Sequence, residues 1–195
     1  MYLKFKRFFD FSISILLLVI NIPLLTIVII LIILFDRQSP FFIQKRAGKN
    51  GKAFFLFKLQ TMRTNENFNN EKSITRIGYY IRKYKIDEIP QLINIILGDL
   101  SLVGPRPLLL SYNELYSPRH RQRLNIKPGL TGLSQINVFD NSDWNKKLDF
   151  DVMYVENMSF LLDLKIIYKS FKLLFLIALN KVKIKEDFNI YKNKS

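Results

Sequence analysis

From Phe11 to Phe35 the chain reads FSISILLLVINIPLLTIVIILIILF, without a single charge. About 20 such residues are enough for a helix to cross the hydrocarbon core of a bilayer. The run is too long for a secretory signal, and no small-residue cleavage site follows it. Burying it inside a soluble domain would need a larger protein than 195 residues provide. The fold must therefore be organised around a membrane.

How the run meets the membrane is a separate question. Lys4, Lys6 and Arg7 precede it, and Arg37, Lys45 and Arg46 follow it. A simple span would place one basic cluster on the non-cytoplasmic side, against the positive-inside tendency. Pro23 removes a backbone donor in mid-run, and Asn21 is placed to repair a freed carbonyl. Together these features suggest a helix that enters, bends near Asn21–Pro23 and returns to the same face. A kinked span is the competing reading.

The formal net charge of +14 points to an anionic partner: nucleic acid, acidic lipid head groups or a phosphorylated substrate. No cysteine is present, which removes disulfides, thiolate chemistry and cysteine metal sites. A lone His120 cannot build a multi-histidine centre.

Beyond the apolar run, SPFFIQKRAGKNGKAFFLFKLQTM reads as two short aromatic-rich strands around a glycine turn, and it lacks the spacing of a P-loop. RTNENFNNEKS, residues 63–73, reads as a mobile surface loop. ITRIGYYIRKY is a basic amphipathic helix. In KIDEIPQLINIILGDL, Asp87 suits an N-cap with Pro90 inside the first turn, and Leu92, Ile93, Ile96 and Leu97 form an apolar stripe that Gly98 ends. Pro105 and Pro107 stiffen the backbone around Arg106. Residues 112–132, with Arg119, Arg121, Arg123 and Lys127, read as a solvated helix face closed by a PGLTG turn. In FLLDLKIIYKSFKLLFLIAL, Lys165, Lys169 and Lys172 line one side, as in a helix lying in the membrane interface, with a coiled-coil partner helix as the alternative.

Asp87 and Glu88 are adjacent acids in a basic chain. A helix cap explains them, and so does chemistry, because a helix N-terminus also keeps a carboxylate nucleophile ionised. Arg82 lies five residues before Asp87, and Arg106 follows the helix. Phosphoryl transfer needs such cations, together with a divalent ion, around its transferring oxygens. Acids embedded among cations, beside a membrane segment, point to a lipid phosphate or another anionic lipid as substrate.

KIDEIPQLINIILGDLSLVGPRP, FFIQKRAGKNGKAFFLFKLQTM, KPGLTGLSQIN and LDFDVMYVENMSFLLDLKI resemble, in order, the signatures of the bacterial sugar transferases. The likeness extends over about residues 1–180 and is greatest to the small monotopic polyprenyl-phosphate phosphoglycosyl transferases; their large relatives carry additional N-terminal membrane helices. It implies a mainly α fold with short β pieces: a re-entrant membrane helix (residues 1–37), a small cytoplasmic catalytic domain with interfacial amphipathic helices (38–180) and a loosely ordered basic tail (181–195). It implies that Asp87 attacks the sugar-bearing phosphorus of a nucleoside-diphosphate sugar, with uridine the expected nucleoside. Polyprenyl (undecaprenyl) phosphate would then collect the phosphosugar from Asp87. Glu88 matches the residue associated with Mg²⁺ and with activation of the lipid phosphate. Arg82 and Arg106 are the expected phosphate clamps, with Gln135 a further donor contact. Expected partners are the sugar nucleotide, the polyprenyl phosphate, membrane lipids and downstream membrane glycosyltransferases, and no nucleic acid; the expected place is the cytoplasmic face of the bacterial inner membrane. Gln60 and Leu133 depart from the family's usual basic residue and Trp, which bears on donor choice. The rivals are a non-catalytic basic protein on membrane or nucleic acid, and a single-step transferase in which Asp87 holds the metal.

Overall fold

Tyr2–Leu31 form one helix, α1, which widens into a π-helical turn over Ile32–Asp36 and is stopped by Arg37 in a left-handed conformation. The structure, a computed structural model, describes residues 2–65, 71–137, 143–179 and 181. Helical backbone runs unbroken through Asn21 and Pro23, so the expected break is not an interruption of the helix. Asn21 Nδ2 donates to the carbonyl of Leu17 (2.8 Å), whereas the carbonyl that Pro23 deprives of a donor is that of Val19. One lost bond does not open a helix this long, since lipid offers the freed groups no other partner.

Both ends of α1 are tied into the rest of the molecule. Near the start, the buried Lys6 Nζ donates to Asp163 Oδ2 at 2.5 Å, and Asp10 Oδ2 accepts from Ser101 Oγ at 2.6 Å. Arg7 donates to the carbonyls of Ile95 and Ile96. At the far end, Asp36 Oδ2 accepts from Thr75 Oγ1 (2.7 Å), and Arg63 donates to the Asp36 carbonyl. Between these anchors Val19, Ile20 and Ile22 are exposed and offer an apolar surface to lipid.

Two aromatic-rich runs around the glycine turn form β1 (Phe41–Ala47) and β2 (Ala53–Leu59), an antiparallel hairpin around a 3₁₀ turn at Lys49–Gly51, as expected. β3 (Met62–Asn65) and β4 (Glu71–Ile74) pair antiparallel. The ends of the segment expected to be a mobile loop are thus strands, and residues 66–70 lie outside the described residues. α2 (Arg76–Lys83) starts at Thr75, whose Oγ1 accepts from the Gly78 amide, and turns Ile77 and Ile81 inward.

After a 3₁₀ turn at Ile86–Glu88 comes α3 (Gln91–Leu97), which ends at Gly98 with φ 95°. Its buried face is Gln91, Leu92, Asn94 and Ile95, while Ile93 and Leu97 are exposed, so the expected apolar stripe is corrected. Two buried amide side chains hid the true face from a reading based on hydrophobicity. β5 (Ser101–Val103) pairs in parallel with β6 (Gly129–Thr131), so the PGLTG segment is a strand as well as a turn. A Cβ on Gly129 would stand 2.1 Å from the Gly104 amide nitrogen, so only glycine permits this crossing.

Residues 110–114 and 120–125 are 3₁₀ turns rather than one solvated helix. Arg123, expected at the surface, is buried, with its guanidinium 2.9 Å from Asp151 Oδ2 and bonded to the Tyr116 hydroxyl. α4 (Leu133–Asn137), α5 (Trp144–Glu156) and α6 (Phe160–Ala178) complete the chain. On α6, Asp163, Ile166 and Ile177 face inward and Lys165, Lys169 and Lys172 are exposed. Leu161, Leu164, Tyr168, Phe171 and Phe175 form a third, exposed apolar face. Beyond Lys181 the expected tail lies outside the described residues.

The main core gathers Phe54, Leu56, Leu92, Ile95, Leu100, Leu102, Val103, Ile136, Tyr154 and Ile166, with Phe9, Ile13 and Leu17 of α1 packed on it. A second cluster joins Val28 and Ile32, at the far end of α1, to Leu59 and Ile81. Mainly helical, with three two-stranded sheets, the described molecule contains one helix long and apolar enough to cross a membrane.

Candidate active site

The acid pair stands where the two apolar clusters meet. After α2 the chain reverses through Lys85, which takes a left-handed conformation (φ 56°, ψ 23°) and closes the turn by donating to the Arg82 carbonyl. Ile86 then packs into the cluster containing the end of α1, and Ile89 into the main core. Asp87 and Glu88 lie between these two anchors, on a turn that cannot swing without unpacking one of them. Asp87 was expected as a helix cap, and this is corrected. Pro90 occupies the N-cap position of α3 with no side-chain bond, and Asp87 Oδ1 is buried without a hydrogen-bond partner.

Lys58, on β2, faces the pair. Its Nζ donates to Glu88 Oε1 at 2.9 Å and lies 3.9 Å from Asp87 Oδ2. β2 is fixed by Asn94 of α3, which is fully buried. Its Oδ1 accepts from the Phe57 amide (3.0 Å) and its Nδ2 donates to the Phe55 carbonyl (2.7 Å). Because Asn94 replaces a neighbouring strand at those two groups, it sets where Lys58 meets Glu88. Arg106 approaches Glu88 Oε1 from the other side at 3.5 Å, its side chain 44% exposed. Its backbone is held as well, since Arg123 Nη2 donates to the Arg106 carbonyl at 2.5 Å.

Burial raises the Asp87 carboxyl above its ordinary value and the charge of Glu88 adds to this, against the pull of Lys58, Lys85 and Arg82. Burial alone would raise Glu88 too. Lys58, Arg106 and Lys85 outweigh it and hold Glu88 well below the usual carboxylate range. Two neighbouring carboxyls are thus pushed apart, one more easily protonated and one firmly anionic, as is common in active sites.

Of the residues singled out in the sequence, Asp87, Glu88 and Arg106 come together. Arg82 is near enough to act on Asp87, with its Nε donating to Thr61 Oγ1 at 2.7 Å. Gln135 lies on α4, where its Nε2 donates to the Leu130 carbonyl (3.3 Å) and its Oε1 is buried without a partner; among the described residues it makes no hydrogen bond to the acid pair. Gln60 donates to the Met62 carbonyl, and Leu133 packs against the main core. Lys58, Asn94 and Arg123 were missed. A lysine between large apolar residues in FFLFKL was the available signal for Lys58, because a strand position flanked that way is partly enclosed.

No group of three or more metal-ligating side chains occurs among the described residues. Mg²⁺ commonly binds through one or two carboxylates and completes its shell with water and substrate phosphates. Adjacent carboxylates with one orphaned buried oxygen fit a site of that substrate-completed kind.

An apolar helix of membrane length, joined to a small α-rich unit with a buried acid pair between cations, has the character of a membrane-associated protein. Comparison with known proteins narrows the class. Residues 1–176 match the family described as bacterial sugar transferase, and the chain belongs to that family. It is 44% identical over 167 residues to the uncharacterized sugar transferase EpsL of Bacillus subtilis, covering 83% of each chain. To the exopolysaccharide production protein ExoY of Sinorhizobium fredii it is 36% identical, over 85% of this chain and 83% of that protein. It is 33% identical to the UDP-glucose:undecaprenyl-phosphate glucose-1-phosphate transferase of Klebsiella pneumoniae, matching 84% of this chain but 38% of that longer protein.

Proposed function

We propose that the protein transfers a sugar 1-phosphate from a nucleoside-diphosphate sugar, with UDP-sugars the first to test, to polyprenyl phosphate at the cytoplasmic face of the bacterial inner membrane. The observation that carries this reading is the buried, unpartnered Oδ1 of Asp87 beside a Glu88 held anionic by Lys58 and Arg106. The UDP-glucose:undecaprenyl-phosphate glucose-1-phosphate transferase of Klebsiella, which matches most of this chain's length, supports the substrate class.

Asp87 attacks the phosphorus that carries the sugar. The bond from that phosphorus to the bridging oxygen breaks, and its electron pair leaves with the nucleoside monophosphate. A phosphosugar remains on the aspartyl oxygen. The lipid phosphate, held beside Glu88, then attacks the same phosphorus through an ionised oxygen without any proton moving, and the Asp87 carboxylate is regenerated with release of the polyprenyl-diphosphate sugar. Glu88 and Asp87 would hold Mg²⁺, which supplies charge neutralisation at the diphosphate oxygens when bound. Lys58 and Arg106 offset the repulsion between carboxylate and diphosphate, and Arg82 keeps positive potential on the nucleophile. Splitting the reaction in two spares the protein from aligning a soluble sugar nucleotide and a long lipid at the same moment.

Purified protein incubated with sugar nucleotides labelled in the sugar should trap label covalently, with Mg²⁺ and without lipid acceptor, and release nucleoside monophosphate. Asp87→Asn should trap none. Equal labelling of wild type and Asp87→Asn would remove the nucleophile assignment. Monophosphate release that begins only on adding polyprenyl phosphate would favour the single-step route.

A further inference from the structure

Arg46 has no role in the reaction as described, yet one of its buried donors has no acceptor. It lies on β1, opposite Phe54, on the hairpin face that also carries Gln44 and Lys58. Its Nη2 donates to Gln44 Oε1 at 2.6 Å, which fixes the plane of the guanidinium. Its Nε is buried without an acceptor. No carboxylate lies within ion-pair distance of it among the described residues. The Ala47 amide donates to the Leu108 carbonyl at 3.0 Å, laying residues 106–108 alongside the end of β1. Burial, and next the charge of Arg106, lower the Arg46 guanidinium below its ordinary value, consistent with two like charges held side by side. A half-buried guanidinium with an unmade hydrogen bond beside a second arginine is costly unless an anion joins them.

We propose that Arg46 binds the phosphate of the departing nucleoside monophosphate. The inference rests on the transferase reading above. In-line displacement requires the leaving oxygen to lie opposite the nucleophile, so charge grows on the side of the diphosphate away from Asp87. Lys58 and Arg106 meet the acid pair directly, and Arg46, on the same hairpin face as Lys58 and next to the segment that carries Arg106, is the further cation beside them. When the bond between the sugar-bearing phosphorus and the bridging oxygen breaks, the electron pair stays on the nucleotide phosphate. Arg46 stabilises it there with fixed donors, and no proton need move.

The test begins with wild type and a panel of UDP-, CMP-, GDP- and dTDP-sugars, to find the donor that labels the protein. If none labels it, the transferase reading fails and this inference fails with it. With a donor in hand, Arg46→Gln should raise the donor KM and the inhibition constant of the matching nucleoside monophosphate about tenfold or more, as expected for loss of charge-assisted hydrogen bonds. Inhibition by the unphosphorylated nucleoside should not change. Lys45→Gln, which removes one charge from the opposite face of the same strand, should match wild type. Arg46→Lys, which keeps the charge but not the fork, should fall between, and it carries the test if Arg46→Gln fails to fold. Wild-type monophosphate inhibition in whichever Arg46 variant folds would overturn the assignment while leaving the transferase reading intact. Equal loss of nucleoside binding would also overturn it, because Arg46 would then shape the base pocket instead.

Discussion

Asp87 is less stable as an anion in the folded protein than in the unfolded chain, and this has a measurable sign. A folded-state pKa raised above 3.8 means that ionised Asp87 destabilises the fold at neutral pH. The penalty lifts as pH falls through the raised value and is gone below 3.8. Asp87→Asn should therefore melt at a higher temperature than wild type near pH 7, and the gap should narrow as the buffer approaches about pH 4. Thermal melts in detergent across that range check it; an Asn variant melting at or below wild type at pH 7 would show that the surrounding cations outweigh burial. Glu88 has the opposite sign, since its lowered value contributes stability above the ordinary carboxylate range that is lost only in strong acid. The acid pair was legible in the sequence because two adjacent carboxylates in a basic chain stand out. Its electrostatics were not. The sequence suggested a helix cap that would keep Asp87 ionised, whereas the pair sits on a 3₁₀ turn whose nearest cation, Lys58, is 30 residues away in the chain.

The elements show where periodicity informs and where it misleads. Aromatic-rich runs around a glycine turn identified the β1–β2 hairpin, and the basic amphipathic pattern of ITRIGYYIRKY identified α2. For α3 the apolar pattern chose the wrong face, because the residue that organises it is a polar one. Asn94 is buried to bond the edge of β2, and no hydrophobic period can register an amide that substitutes for a strand. Asn94→Ala leaves the Phe57 amide and the Phe55 carbonyl without these bonds and opens a small cavity. It should cost about 2–4 kcal/mol in denaturant unfolding. Label trapping should fall more than the loss of folded protein explains, since Lys58 would no longer be fixed over Glu88. A variant as stable as wild type would mean that water replaces the amide. Arg123 was misread for a similar reason, as its partner Asp151 is 28 residues downstream and nothing local announces the pair.

For the whole molecule, the most informative fact is that both ends of α1 are bonded to one body, through Lys6 and Asp10 at one end and Asp36 at the other. A helix crossing the bilayer would put its two ends on opposite faces, about 30 Å apart, whereas a re-entrant one would leave both on one face, and labelling separates the two. The chain has no cysteine, so single cysteines can be introduced against a silent background. Cysteines at Lys4 and at Arg37 should both react with a membrane-impermeant maleimide in inside-out vesicles and neither in intact spheroplasts, whereas one at Ile20 should be shielded in both. Labelling of position 4 or 37 from the periplasmic side would establish a span. The exposed apolar stripe of α6 beside its three exposed lysines fits a helix lying in the head-group region.

The bond between Lys6 and Asp163 also sets a clock. The two residues are 157 positions apart, so α1 leaves the ribosome long before its buried lysine has a counter-charge. At about 5–20 residues per second the wait is on the order of ten seconds. Throughout that interval Lys6 and Asp10, one turn apart, are each other's nearest opposite charge. Biogenesis must therefore commit the helix to the membrane first and let the later chain close over it.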